Sequence, residues 1–143
     1  MRFAVPSVHG ILETALYVKD VQKAAAFYRR LFGFATLLDS ERLIALDVAG
    51  RNVLLLFKEG ATKEPFATSG GVIPGHAGSG VTHFAFSIAS EDLADWQQRL
   101  DAEGVAVESM VNWPEGARSI YFRDVDENLV ELITPGFWRI GGS

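Results

Sequence analysis

Residues 11–18 are largely apolar with an alternating character, which reads as a strand. The period then changes. Asp20 is placed to cap a helix, and Ala24, Phe27, Tyr28 and Leu31 follow at i, i+3, i+4 and i+7. Gly33 ends that stripe, because glycine tolerates the left-handed conformation just past a helix. Further strands are predicted at 34–38, 43–48 and 52–57, with Ala49-Gly50-Arg51 turning between the last two. Residues 10–58 therefore read as a βαβββ module.

Residues 59–80 break the pattern. Gly70-Gly71, Pro74-Gly75 and Gly78 predict a flexible connection, long enough to serve as a linker, a lid or a binding loop. From Val81 the first pattern returns. A strand over 81–88 is followed by Ser90 as a possible cap, a helical stripe of Leu93, Trp96 and Leu100, and Gly104 as its stop. Later strands are predicted at 105–110, 119–123 and 128–134, with a hairpin turn over 124–127. His83 stands 70 residues after Glu13, and Gly104 stands 71 after Gly33, so 81–135 repeats the first module. One α+β domain over 1–143 is expected, with one helix for every four strands. Each sheet then has one helix-covered face, and its other face must meet a partner or curve around a cavity.

Composition narrows the function. The 143 residues suffice for one compact domain with its own core. A net charge of −5 without a basic cluster argues against nucleic acid. The absence of cysteine excludes disulfides, thiolate metal ligands and a cysteine nucleophile. No apolar run approaches the roughly 18–20 residues that span a bilayer, and Met1 to Gly10 lacks a signal-peptide core. No membrane partner is expected, and cytoplasmic residence is the expectation.

Polar residues on the strands point to chemistry. In the first strand Leu12, Thr14, Leu16 and Val18 form one row, and Glu13, Ala15 and Tyr17 the other. In its repeat Phe84, Phe86 and Ile88 oppose His83, Ala85 and Ser87. The bulkier rows suit the helix side, which places Glu13 and His83 at equivalent positions on the open face. In the last strands Glu131 interrupts an apolar run, and Leu55 is its counterpart. A carboxylate on a buried strand is costly unless paired or metal-bound. Of the four repeat-related positions, Glu13, His83 and Glu131 can ligate a metal. The plainer alternatives are a hydrogen-bonded His83 and a Glu13 paired with Arg118 or Arg42. His9 and His76 fall on no repeat-related strand position and read as loop histidines.

Several segments together carry a resemblance: Leu12-Glu13-Thr14-Ala15-Leu16-Tyr17-Val18, Ala26-Phe27-Tyr28 with Leu31-Phe32-Gly33-Phe34, Thr82-His83-Phe84-Ala85-Phe86, and Tyr121-Phe122-Arg123-Asp124 with Asp126, Asn128 and Val130-Glu131-Leu132. The chain resembles the vicinal oxygen chelate superfamily of glyoxalases, extradiol dioxygenases and fosfomycin and bleomycin resistance proteins. The resemblance implies two βαβββ modules whose curved mixed sheets form a cleft. It implies one divalent metal ion (Mn, Fe, Co, Ni, Zn or Mg) on Glu13, His83 and Glu131, and a small-molecule substrate chelating it through neighbouring oxygens. Glu13 or Glu131 would act as the catalytic base. Leu55 departs from glyoxalase I, which has a carboxylate there, and Glu13 departs from the members that place His at that position.

The chemistry implied is Lewis-acid polarisation by a lyase, isomerase or dioxygenase. Substrate contacts are expected from Tyr17, Phe57, Arg118 and Tyr121, with Trp113 and the loop over 70–80 covering the cleft. For Arg118 and Tyr121, a surface ion pair and ordinary sheet packing are the competing readings. The alternative functions are a non-catalytic small-molecule binder like the bleomycin resistance proteins, and a regulatory domain with both glutamates salt-bridged. A homodimer is implied by the resemblance. The sequence leaves open whether each cleft is built from one chain or two.

Overall fold

The computed structural model describes residues 4–142. The first alternation forms β1 (Glu13–Val18), and Asp20 starts α1 (Val21–Phe32) by accepting from the backbone N–H groups of Gln22 and Lys23. Gly33, at φ 74°, ends the helix and returns its N–H to the Arg29 carbonyl at 2.8 Å. β2 (Thr36–Asp39), β3 (Leu43–Val48) and β4 (Asn52–Lys58) complete a sheet in the order β1-β4-β3-β2. Only β1 and β4 run parallel.

The connection over 59–80 is more structured than its glycines suggest. It holds a small hairpin, β5 (Phe66–Thr68) and β6 (Gly71–Ile73), and then packs back on the first sheet. Thr62 is fully buried, its hydroxyl donates to the His76 carbonyl at 2.7 Å, and its own carbonyl accepts from His76 N–H at 2.8 Å. Gly78 lies flush on Tyr17: a Cβ there would stand 2.4 Å from the ring.

The second module repeats the first: β7 (His83–Ser87), α2 (Leu93–Ala102), β8 (Ser109–Asn112), β9 (Arg118–Arg123) and β10 (Leu129–Ile133), in the order β7-β10-β9-β8. Register is repeated as well. Glu13 pairs with Val53, two residues before Leu55, and His83 pairs with Leu129, two residues before Glu131.

Three local expectations shift. The second strand starts at Thr36 because Phe34 stacks on Phe32, at 5.0 Å, and joins the core. β8 starts only at Ser109, because Val105 N–H closes the end of α2 on the Leu100 carbonyl at 2.8 Å. Ser90 opens a 3-10 turn (Ser90–Asp92) without a side-chain capping bond, and α2 begins after it.

A single core runs through both modules. From α1, Phe32 meets Phe86 at 4.6 Å and Trp96 at 5.2 Å, Tyr28 meets Phe84, and Phe27 meets Phe122. Arg99 on α2 donates to the carbonyls of Arg30 and Leu31 at the C-terminal end of α1, where that helix has unpaired acceptors. The helix-covered faces therefore look inward on the shared core. Within one copy, the two sheets turn their open faces away from each other.

Tyr28 also ties α1 to the β9–β10 turn, donating to buried Asp124 at 2.6 Å. The same carboxylate accepts from the backbone N–H groups of Asp126 and Asn128 and from the Asn128 side chain. Burial first, and the Asp124 charge second, push the Tyr28 hydroxyl well above its usual pKa. Its stabilising share is complete below the unfolded phenol's value of about 10 and is lost as pH rises beyond it. Tyr28→Phe is expected to cost about 2 kcal/mol at neutral pH, the scale of a hydrogen bond to a charged acceptor. Its urea-unfolding free energy should fall less steeply than that of the parent above about pH 10. Gly78→Ala should displace the loop from Tyr17, read as faster hydrogen exchange at residues 76–80.

Candidate metal centre

The site is built on β7, β9 and β10, whose open-face rows run His83-Ala85-Ser87, Ser119-Tyr121-Arg123 and Leu129-Glu131-Ile133. Glu131 lies on the middle strand and is only 6% exposed. Its Oε2 accepts from the fully buried Ser119 hydroxyl at 2.5 Å and from the Tyr121 hydroxyl at 3.1 Å. Its Oε1 lies 3.2 Å from His83 Nε2. Trp113 Nε1 donates to Ser119 Oγ at 2.8 Å. Burial, followed by the Glu131 charge and hydrogen bond, raises the Tyr121 phenol above its ordinary pKa, so it remains a donor at neutral pH.

The hydrogen-bond inventory tests whether a cation fits. His83 Nδ1 is 2.9 Å from the Leu129 carbonyl, which can only accept, so Nδ1 carries the hydrogen. A neutral ring then turns its bare Nε2 toward a carboxylate oxygen. Two facing acceptors need a proton or a cation between them, and an imidazole oriented by a backbone carbonyl beside a fixed carboxylate is a suitable pair of metal ligands. With His83 about half exposed, further coordination positions face outward.

Glu13 does not join this pair within one copy. It lies exposed at the start of β1, on the open face of the other sheet, and makes no ion pair among the described residues. Among the described residues no three His, Asp or Glu side chains converge as a metal site. The pairing considered for Glu13 is also not formed: Arg118 Nε donates to Asn112, and Arg42 lies over the Phe66 and Phe57 rings.

The expected substrate residues divide between the two sheets. Tyr121 is beside Glu131. Arg118 is on the alternate row of β9 with Ile120 and Phe122, one residue out of phase with the site. Tyr17 and Phe57 stack at 5.7 Å on the open face that bears Glu13. There His76, read from sequence as a plain loop histidine, places Nδ1 2.5 Å from the Tyr17 hydroxyl. Sequence reasoning missed Ser119, although its position on the Tyr121 row was a usable signal. It gave Trp113 only a covering role. Leu55 occupies the position of Glu131 in the first sheet and leaves it without a second carboxylate.

Comparison with known proteins agrees with this architecture. Metallothiol transferase FosB of Bacillus licheniformis is 32% identical over 128 residues, covering 87% of this chain and 75% of that protein. Fosfomycin resistance protein FosX of Listeria monocytogenes is 30% identical, covering 87% of this chain and 89% of that protein. A solved structure of that FosX is complexed with Mn(II) and sulfate and superimposes with a TM-score of 0.67 at 24% identity, covering 92% of this chain and 94% of that one. The lactoylglutathione lyase structure from Agrobacterium tumefaciens superimposes with a TM-score of 0.84 at 34% identity, covering 93% of this chain and 98% of that one. Residues 10–132 match the sequence family described as Glyoxalase/Bleomycin resistance protein/Dioxygenase superfamily. With its duplicated βαβββ modules and matching register, the chain belongs to that superfamily.

Proposed function

We propose that this protein is a metal-dependent enzyme whose active cleft forms between two copies of the chain. The observation that carries this reading is Glu131: a nearly buried carboxylate fixed by two hydroxyl donors, with its free oxygen 3.2 Å from Nε2 of an imidazole oriented by a backbone carbonyl. His83 and Glu131 of one copy would hold a divalent ion together with Glu13 of the partner subunit. Two carboxylates and an imidazole suit Mn, Fe, Co, Ni, Zn or Mg. When bound, the ion would supply Lewis-acid polarisation of a substrate's neighbouring oxygens.

Support for the two-copy cleft comes from the outward-facing sheets and from the approach to β1. Val5, Val8, Ile11 and Leu12 run exposed into Glu13, with Val5 and Val8 at 91% and 90% exposure. Such an apolar strip is what a second copy would cover. Tyr17 and Phe57 of one copy, covered by His76 and Gly78, would then form the floor beneath the cleft opposite Tyr121. Tyr121 would orient the substrate with its hydroxyl, and a glutamate would move the proton at a carbon beside the substrate carbonyl. Among the described residues no helix is long and apolar enough to cross a membrane, and we place the enzyme in the cytoplasm.

A glyoxalase-type lyase or isomerase reaction fits better than attack on a phosphonate such as fosfomycin. The lactoylglutathione lyase superimposes at a higher TM-score and identity than FosX does, and Arg123 near the site is committed to both oxygens of Glu108. Methylglyoxal with glutathione and fosfomycin with a thiol should therefore be assayed in parallel, and turnover of fosfomycin alone would reverse this choice. A non-catalytic binder has no evident use for a carboxylate prepared in this way.

Elemental analysis should find one divalent ion per chain, lost in His83→Ala, Glu131→Ala and Glu13→Ala. Mixing Glu13→Ala with His83→Ala protein should regenerate one intact site per mixed dimer and restore metal uptake. If uptake stays absent after subunit exchange, the two-copy cleft is wrong. If His83→Ala and Glu131→Ala both retain stoichiometric metal, the site itself is wrong.

A further inference from the structure

We infer that Trp113 is a positioning residue for the metal centre, acting on Glu131 through Ser119; the inference rests on His83 and Glu131 being ligands. The indole N–H can only donate, and it donates to Ser119 Oγ at 2.8 Å. The serine must therefore direct its own hydrogen elsewhere, and it does so toward Glu131 Oε2 at 2.5 Å. Ser119 is fully buried, so no solvent competes for either bond. Without the indole, the serine hydroxyl can choose among three staggered orientations. Trp113 removes that choice. Oε2 is then saturated by Ser119 and Tyr121, and Oε1 is left as the one oxygen free to ligate.

The relay has its own brace. Trp113 N–H donates to the Ala117 carbonyl at 2.8 Å, closing the turn over 113–117. Inside it Glu115 holds φ 67°, an uncommon conformation for a residue with a Cβ. Glu115 is paired with Arg139, and Phe137 packs on the indole at 4.5 Å. The segment after β10 thus holds the turn that holds Trp113. A residue that touches no ligand thereby helps set how tightly the metal is bound.

The test is the Mn(II) dissociation constant of the full-length protein, read by the EPR signal of free Mn(II), with the apo-protein melting temperature measured alongside. Trp113→Phe keeps a ring against Phe137 and deletes the N–H, and Ser119→Ala deletes the hydroxyl. Each is expected to weaken Mn(II) about tenfold or more, the usual scale for groups that orient metal ligands. Trp113→Phe should add nothing in the Ser119→Ala background, since both remove one relay. It should still weaken binding in the Tyr121→Phe background, since that variant removes the other donor and leaves the relay in place. Binding by Trp113→Phe within about twofold of the parent overturns the inference, whatever its melting temperature. Undiminished additivity with Ser119→Ala overturns it as well. Failure of the parent protein to bind Mn(II) sinks the metal-enzyme reading and this inference together, an outcome distinct from the other two.

Discussion

Two four-stranded sheets present four faces, and among the described residues two α-helices cover them. Fusing both helix-covered faces into one core solves half of that problem, through Phe32 against Phe86 and Trp96 and through Arg99 on the carbonyl end of α1. The other half remains on the outside. The open faces carry Glu13, His83 and Glu131, and the core that stabilises the fold also keeps those faces apart. This constraint connects the duplicated topology, the exposed apolar approach to β1, and the separation of Glu13 from His83 and Glu131.

On the second sheet, burial and polarity are reconciled by hydrogen bonding. Glu131 sits among apolar neighbours on a central strand, where an unsatisfied carboxylate would be strongly destabilising. Ser119 and Tyr121 answer one oxygen, and His83 faces the other. Asp124 is treated in the same way in the turn below, with four donors around it, and there the result is rigidity with no open side. Two buried acids in one module thus have different destinies. One is closed on every side, and the other is left with a single exit.

Much of this is legible in the amino-acid sequence. The 70-residue spacing matches Glu13 with His83, alignment of the last strands matches Leu55 with Glu131 at a spacing of 76, and the strand register reproduces both correspondences. Asp20 and Gly33 bounded α1 because capping is a local property of the backbone. The edge strands were less legible. Phe34 and Val105 look like strand residues, yet tertiary packing takes both into the core ahead of β2 and β8. Arg118 was drawn in by charge, although the period of two already placed it out of phase with Tyr121. Ser119 and the His76–Tyr17 bond escaped notice for a physical reason: a small hydroxyl or a loop imidazole acquires significance only from a distant neighbour.

Leu55 bears on how such a scaffold diversifies. Because the modules agree in register, an acid at 55 would sit on the first sheet as Glu131 sits on the second, with no strand displaced. The number of acids on the open faces is then an independent variable, adjustable by side-chain replacement while the backbone ladder stays constant. A lineage that duplicates a βαβββ unit inherits paired sockets, and each descendant can fill or vacate them separately. In this chain one socket holds hydrocarbon and the other a carboxylate, an asymmetry within an otherwise matched pair.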